Sequence, residues 1–160
     1  MQSELVDIVD KSDKVLKTAF RGELKDSDIV RVTNVFILNK KGGILLQLRS
    51  AKSHHYPLYW DSAGGHVTSG EDYTKSAERE LFEEVGIKTD LIFLGKHYIK
   101  LPDGRKHIGA YFKGNFDGQT KIDPNEVESV QFFSLEEVRK MISRGKVHPE
   151  CVFGLKKYFL

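Results

Sequence analysis

Gly65-His66-Val67-Thr68-Ser69-Gly70-Glu71-Asp72-Tyr73-Thr74-Lys75-Ser76-Ala77-Glu78-Arg79-Glu80-Leu81-Phe82-Glu83-Glu84-Val85-Gly86-Ile87 is the stretch whose reading decides the fold. Between Glu71 and Val85 the apolar residues Ala77, Leu81 and Val85 recur every fourth position, and Gly86 stands where a helix would stop. Glu80, Glu83 and Glu84 sit at i, i+3 and i+4, which on a helix places them within an arc of about 100°. The apolar stripe is centred about 100° away. Such a helix packs one side on a core and carries three carboxylates along the adjoining side. Like charges at this spacing repel one another. A hard divalent cation would relieve the repulsion, and carboxylate oxygens suit Mg²⁺. From Glu71 to Gly86 there are six acids and two bases, a net charge of −4 within a chain of net +2, so the rest of the chain is strongly basic. An acidic helix in basic surroundings suits metal ions that in turn hold phosphates.

Gly65, Glu71, Arg79, Glu80, Leu81, Glu83, Glu84, Gly86 and Ile87 fill every fixed position of the Nudix box, and the chain resembles the Nudix hydrolase superfamily through them. A chance match is on the order of one in a billion per starting position from average residue frequencies. The resemblance implies an α/β fold, a Nudix-type α/β/α sandwich with a mixed β-sheet in which residues 65–87 form a loop–helix–loop. It implies hydrolysis of a diphosphate bond in a nucleoside diphosphate linked to another moiety, with Mg²⁺ or Mn²⁺ as cofactor. By the same analogy Glu80, Glu83 and Glu84 are metal ligands, joined by a carbonyl of Gly64 or Gly65. Arg79 orients the carboxylates, Glu71 braces the loop, and Gly86 closes the helix. A general base is expected in Glu83, Glu84 or a glutamate outside the box. Glu126 is the residue of choice there, because it precedes the expected Val130–Phe133 strand, where the family often places one; Glu128 is its competitor. Arg49 and His66 are candidates for binding substrate phosphate.

A looser similarity extends over roughly residues 4 to 145. Glu4-Leu5-Val6-Asp7, Arg21, Leu45-Leu46-Gln47-Leu48-Arg49, Trp60-Asp61 and Gly64-Gly65-His66 look like the branch related to isopentenyl diphosphate isomerase. Two departures argue against that activity. The isomerases carry a cysteine shortly after the tryptophan, whereas Trp60 is followed here by Asp61-Ser62-Ala63-Gly64-Gly65. They also bind metal through histidines ahead of the box, and this chain has no histidine before His54. An isomerase-like enzyme and a non-catalytic binding or regulatory module are the alternatives to a hydrolase.

The rest of the chain reads as one domain over residues 1–160, near the commonest domain size. Leu5–Val9 and Val15–Phe20 suggest a hairpin, Ile29–Leu38 and Ile44–Leu48 a pair joined by Asn39-Lys40-Lys41-Gly42-Gly43, and Tyr56–Ser62 a short extended segment. Ile92–Leu101 and Lys106–Lys113 flank the turn Pro102-Asp103-Gly104. Val127–Phe133 reads as a strand, and Leu135–Ser143 as a helix with Ser134 and Glu137 as a capping box. Cys151–Leu160 reads as a short helix. Trp60, Tyr98, Tyr111 and Cys151 are expected to pack; His54 and His55 are loop residues within reach of a substrate. Net charge +2 and short lysine pairs speak against nucleic acid as a partner. No run reaches the about 20 apolar residues of a membrane helix. The opening residues do not look like a signal peptide, and a single cysteine suits a reducing cytosol, so the expected location is cytoplasmic. The expected partner is a small-molecule diphosphate, with a homodimer suggested by family analogy alone.

Overall fold

The computed structural model describes residues 3–160. Among the described residues eight strands form one mixed sheet: β1 (Leu5–Val9), β2 (Val15–Phe20), β3 (Ile29–Leu38), β4 (Ile44–Arg49), β5 (Trp60–Asp61), β6 (Ile92–Lys100), β7 (Lys106–Asn115) and β8 (Val127–Phe133). Three helices cover it: α1 (Tyr73–Val85), α2 (Leu135–Arg144) and α3 (Pro149–Tyr158). β3 is the axis. Its ten residues run parallel to β7 along their whole length, from Ile29 opposite Lys106 to Leu38 opposite Asn115. On its other edge β3 pairs with β1 only at its start and with β4 only at its end. Between them the segment 63–66 fills the gap, bridging Val35 to Ala63 and Val32 to His66. The loop ahead of α1 is therefore stitched into the centre of the sheet.

Alternation along β3 divides the core in two. Val35 and Ile37 join Ala77, Leu81, Val85 and Ile87 of the α1 side. Phe36 points the other way, to Tyr111, Val138, Cys151 and Leu155 beneath α2 and α3. The sandwich expected from the sequence is present: α1 on one face, α2 and α3 on the other. Trp60 packs edge-on against Phe133, with ring centres 5.0 Å apart, and Tyr111 is fully buried. Tyr98 packs on the small cluster of Val9, Ile29 and Ile108.

Most expected ends shift by a residue or two, and three of the shifts have a clear local cause. Only Trp60–Asp61 of the Tyr56–Ser62 segment is a strand, because Tyr56 and Leu58 adopt positive φ (50° and 58°) and turn the chain. α1 begins at Tyr73, since the Asp72 side chain accepts a bond from Lys75 N (2.8 Å) and makes Asp72 the N-cap. α3 begins at Pro149, a favoured first helical residue, with His148 as its cap.

One ion-paired hub ties the sheet's edge to α1. Asp13, only 7% exposed at its side chain, accepts from Arg31 Nε (2.7 Å), Lys96 Nζ (2.7 Å) and Tyr73 Oη (2.9 Å). Burial pushes its carboxyl up, but the bonds from Lys96, Arg31 and Tyr73 outweigh that and hold it below the ordinary 3.8. A carboxyl depressed on folding stabilises above its unfolded value and loses that contribution as pH falls through the folded one. Asp13→Ala is expected to cost about 2 kcal/mol at pH 7 in urea denaturation. The gap between variant and wild type should narrow as pH falls below the ordinary carboxylate range and through the depressed folded value; a gap that does not narrow would contradict the ionic origin.

Candidate active site

α1 displays its acids in a gradient from solvent to interior. Glu83 is exposed, its side chain 55% accessible; Glu80 is at 14%; Glu84 is buried. The spread follows from the stripe Ala77–Leu81–Val85, which sinks into the core and draws Glu84 down beside it. Glu84 Oε1 accepts from Gly64 N (2.9 Å) and Gln47 Nε2 (3.1 Å), locking the loop to the helix. Arg79 spans the outer acids. It makes a bidentate pair with Glu71 (Nε–Oε2 2.8 Å, Nη2–Oε1 2.9 Å) and reaches Glu80 Oε1 (3.0 Å) and Glu83 Oε2 (3.2 Å) through Nη1. Glu71 in turn accepts from Thr68 N (3.2 Å). Gly86 ends the helix at φ 72°, its N–H donating to Phe82 O.

These acids are unequal. Burial raises the Glu80 carboxyl to about 7; Arg79 opposes the rise and the charge of Glu83 adds to it. Burial also lifts Glu84 well above the usual range, with the Glu80 charge adding to it and the Gly64 and Gln47 bonds opposing it. Two neighbouring carboxyls that resist ionising together form a site short of positive charge. Among the described residues no three His, Cys, Asp or Glu side chains are drawn together as a finished metal cage. Arg79 holds two of the acids, and Gly64 and Gln47 hold the third. The donor set nonetheless fits a hard divalent ion, being carboxylate oxygens only, with the outermost, Glu83, exposed and held by a single ion pair. Gly65 completes the fit: a Cβ there would lie 2.8 Å from the Glu80 carboxyl, so the backbone leaves room for that group. The Gly65 carbonyl is already taken by Thr33 N (2.9 Å), while no hydrogen bond reaches the Gly64 carbonyl among the described residues.

A cleft of about 1040 Å³ opens over these acids. Of the residues singled out in the sequence, Arg49, His54, His55, His66 and Glu126 all line it. Arg49 is engaged already, with Asp61 Oδ2 (3.2 Å) and the His55 carbonyl (3.0 Å). His66 is held neutral, its basicity pushed well down by burial and then by the charges of Arg21, His107 and Arg105. Glu126 is exposed at the rim. Glu128 is turned away to cap Ala51 N (3.0 Å) and does not line the cleft. Cys151, the one cysteine, is fully buried under α3, where burial pushes its thiol up.

The sequence reading missed a buried polar wall. Glu150, 2% exposed, accepts from Asn34 Nδ2 (2.9 Å) and meets His107 Nδ1 at 2.6 Å. Its own N–H donates to His148 Nδ1 (3.1 Å). Asn34, His107, His148 and Glu150 all line the cleft. Burial would push the Glu150 carboxyl up, but the bonds and charges of His107, Asn34 and His148 outweigh it and hold it below the usual range. Asn34, one of three polar residues in the otherwise apolar Ile29–Leu38, was the signal on offer.

The model of the NUDIX domain matches residues 28–151. A Nudix hydrolase of Pseudomonas aeruginosa is 32% identical over 145 residues, covering 87% of this chain and 86% of its own. An isopentenyl-diphosphate Delta-isomerase of Pectobacterium atrosepticum is 28% identical over 137 residues, covering 82% of this chain and 76% of its own. The crystal structure of DR0079 from Deinococcus radiodurans superposes with a TM-score of 0.85 at 22% identity, covering 98% of this chain and 100% of that one, a likeness of fold.

Proposed function

The chain belongs to the Nudix hydrolase family, and on that premise we propose that it cleaves a phosphoanhydride bond in a small diphosphate, a nucleoside diphosphate linked to another moiety, with Mg²⁺ or Mn²⁺. The observation that carries the reading is the pair Glu80 and Glu84. Both are withdrawn from solvent, both have raised carboxyls, and both face a cleft large enough for such a molecule. A fold that needed these positions only for packing would gain from apolar residues there.

The chain's own residues divide the work. Glu80, Glu83, Glu84 and the Gly64 carbonyl would hold the cation. A bound divalent ion supplies charge neutralisation for the diphosphate and an acidified water. Arg79, clamped by Glu71, fixes Glu80 and Glu83 where the ion is needed, so little reorganisation remains for the reaction itself. Glu126 at the rim is the residue for taking a proton from the attacking water, with Glu83 or Glu84 in that role if the ion leaves one of them free. Cleavage by in-line attack at phosphorus then needs positioning and electrostatic stabilisation and no covalent intermediate on the protein. The isomerase reading lacks support in the cleft, since Cys151 does not line it.

The test is a panel of diphosphates (a nucleoside diphosphate sugar, a dinucleotide, a nucleoside triphosphate and a non-nucleotide diphosphate) assayed with Mg²⁺ and with excess chelator. Cleavage of at least one, falling more than about 100-fold on chelation, is expected. Cleavage that ignores chelation, or no cleavage across the panel, would leave the binding-module reading in its place.

A further inference from the structure

Segment 147–160 brings Glu150 beneath the cleft, and Glu150 touches two imidazoles with different parts of itself. Its carboxylate can only accept, so the 2.6 Å contact puts the His107 proton on Nδ1. In the singly protonated ring the other nitrogen, Nε2, is then an acceptor. Its backbone N–H can only donate, so the 3.1 Å contact to His148 makes that Nδ1 the acceptor and puts the His148 proton on Nε2. Both rings line the cleft, at 5% and 8% exposure. Among the described residues neither Nε2 has a hydrogen-bond partner, and neither is a sealed, unsatisfied atom. The cleft wall thus offers one acceptor and one donor, both fixed by a single residue.

The surroundings match a device for recognition better than a packing pin. Glu150 lies flat on β7, where a Cβ on Gly109 would come within 2.8 Å of its carboxylate, so the sheet is open at the one point the acid needs. Asn34, which holds the other carboxylate oxygen, is itself held by Ser62 Oγ (3.4 Å), so the wall is braced from behind. Burying an ionised carboxylate is costly, and well-packed apolar residues would join α3 to the sheet at least as well. No Phe, Tyr or Trp lines the cleft among the described residues; the rings at its wall are imidazoles, which bring polar nitrogens to the site. A group that both donates and accepts suits a wall that carries both an acceptor and a donor, and a hydroxyl is the simplest such group.

We propose that His107 and His148 form an acceptor–donor pair that reads a hydroxyl-bearing group, such as a sugar, carried on the diphosphate, and that Glu150 is the positioning residue that sets both tautomers. The proposal rests on the cleft being the diphosphate site. It does not require that the bond be cleaved.

Binding of two uncleavable ligands separates the two readings: the α,β-methylene analogues of UDP-glucose and of UDP, titrated with Mg²⁺ into the full-length protein by calorimetry. Wild type should bind the glucose-bearing analogue more tightly. His107→Ala should weaken that analogue about tenfold, the scale of one lost hydrogen bond, and leave the UDP analogue within about twofold. Because His107→Ala strands a buried carboxylate, the double variant His107→Leu/Glu150→Met is measured beside it; it replaces the pair by apolar groups and should melt within a few degrees of wild type. It should also lose the preference for glucose. A double variant that keeps the preference, a loss shared equally by both ligands, or a wild type without preference would each overturn the proposal. Tight, selective binding of the analogue by a protein that cleaves no member of the diphosphate panel would uphold it while removing the hydrolase reading.

Discussion

Glu83→Gln should lower kcat by more than about 100-fold while leaving the thermal midpoint within a few degrees of wild type. The size follows from the proposed role of Glu83 as a direct ligand: loss of a mere supporting partner already costs about 10- to 100-fold in metal affinity or activity. The intact fold follows from exposure. Glu83 is the most accessible of the three acids, and its single ion pair with Arg79 is duplicated by the Glu71 and Glu80 contacts of the same guanidinium. Surface changes of this kind stay within about 0.5 kcal/mol. Raised Mg²⁺ should recover part of the lost rate if Glu83 acts through the ion, and none if it only abstracts a proton. A variant with near-normal kcat at ordinary Mg²⁺ would take Glu83 out of the site.

Gly64→Ala should be the most damaging single-methyl change in the molecule. Gly64 has φ +142°, and a Cβ there would sit 1.9 Å from the Thr33 carbonyl oxygen and 2.7 Å from its carbon. Neither neighbour can yield, because Thr33 lies in the central strand and its N–H is already bonded to the Gly65 carbonyl (2.9 Å). The segment 63–66 must therefore leave the β3 edge, taking with it the Gly64 N–H that anchors Glu84. A loss of more than about 4 kcal/mol is expected, the scale reserved for backbone clashes and broken buried networks, and soluble expression should fall accordingly. Gly70→Ala is the control. Gly70 also has positive φ (+86°) but meets nothing within 4 Å, so only the backbone penalty of about 1 kcal/mol applies. Urea midpoints of the two variants decide the matter; equal midpoints would mean that the loop is not stitched to β3.

Much of this molecule was legible in its sequence because the signals were local. Ala77, Leu81 and Val85 gave α1 by their spacing, and Asn39–Gly43 and Pro102–Gly104 gave their turns by residue type. The Nudix box suggested that Arg79 orients the acids: it holds Glu71, Glu80 and Glu83, whereas Glu84 turns inward to Gly64 N and Gln47 Nε2. Glu126 was preferred to Glu128 in sequence by family analogy alone, since the two lie only two positions apart. Only the register of β8 against β4, with its irregularity at Leu48/Arg49, turns Glu128 toward Ala51 and leaves Glu126 at the rim. Tyr56 and Leu58 read as extended because nothing in a tyrosine or a leucine announces positive φ. The polar wall was illegible for a different reason: Asn34 and Glu150 are separated by 116 positions, and a lone polar residue gains meaning only from a partner that the fold supplies. The Cys151–Leu160 segment, read only as a helix, delivers that partner one residue before its expected start.

The most direct test of the central claim, that the α1 acids form a divalent-cation site, is Mn²⁺ binding followed by electron paramagnetic resonance on wild type and Glu83→Gln, without any substrate. Wild type should bind at least one ion, displaceable by Mg²⁺, and Glu83→Gln should bind it at least about tenfold more weakly. Equal binding by the two proteins, or none by wild type in the millimolar range, would contradict the account of α1 as the metal-bearing helix.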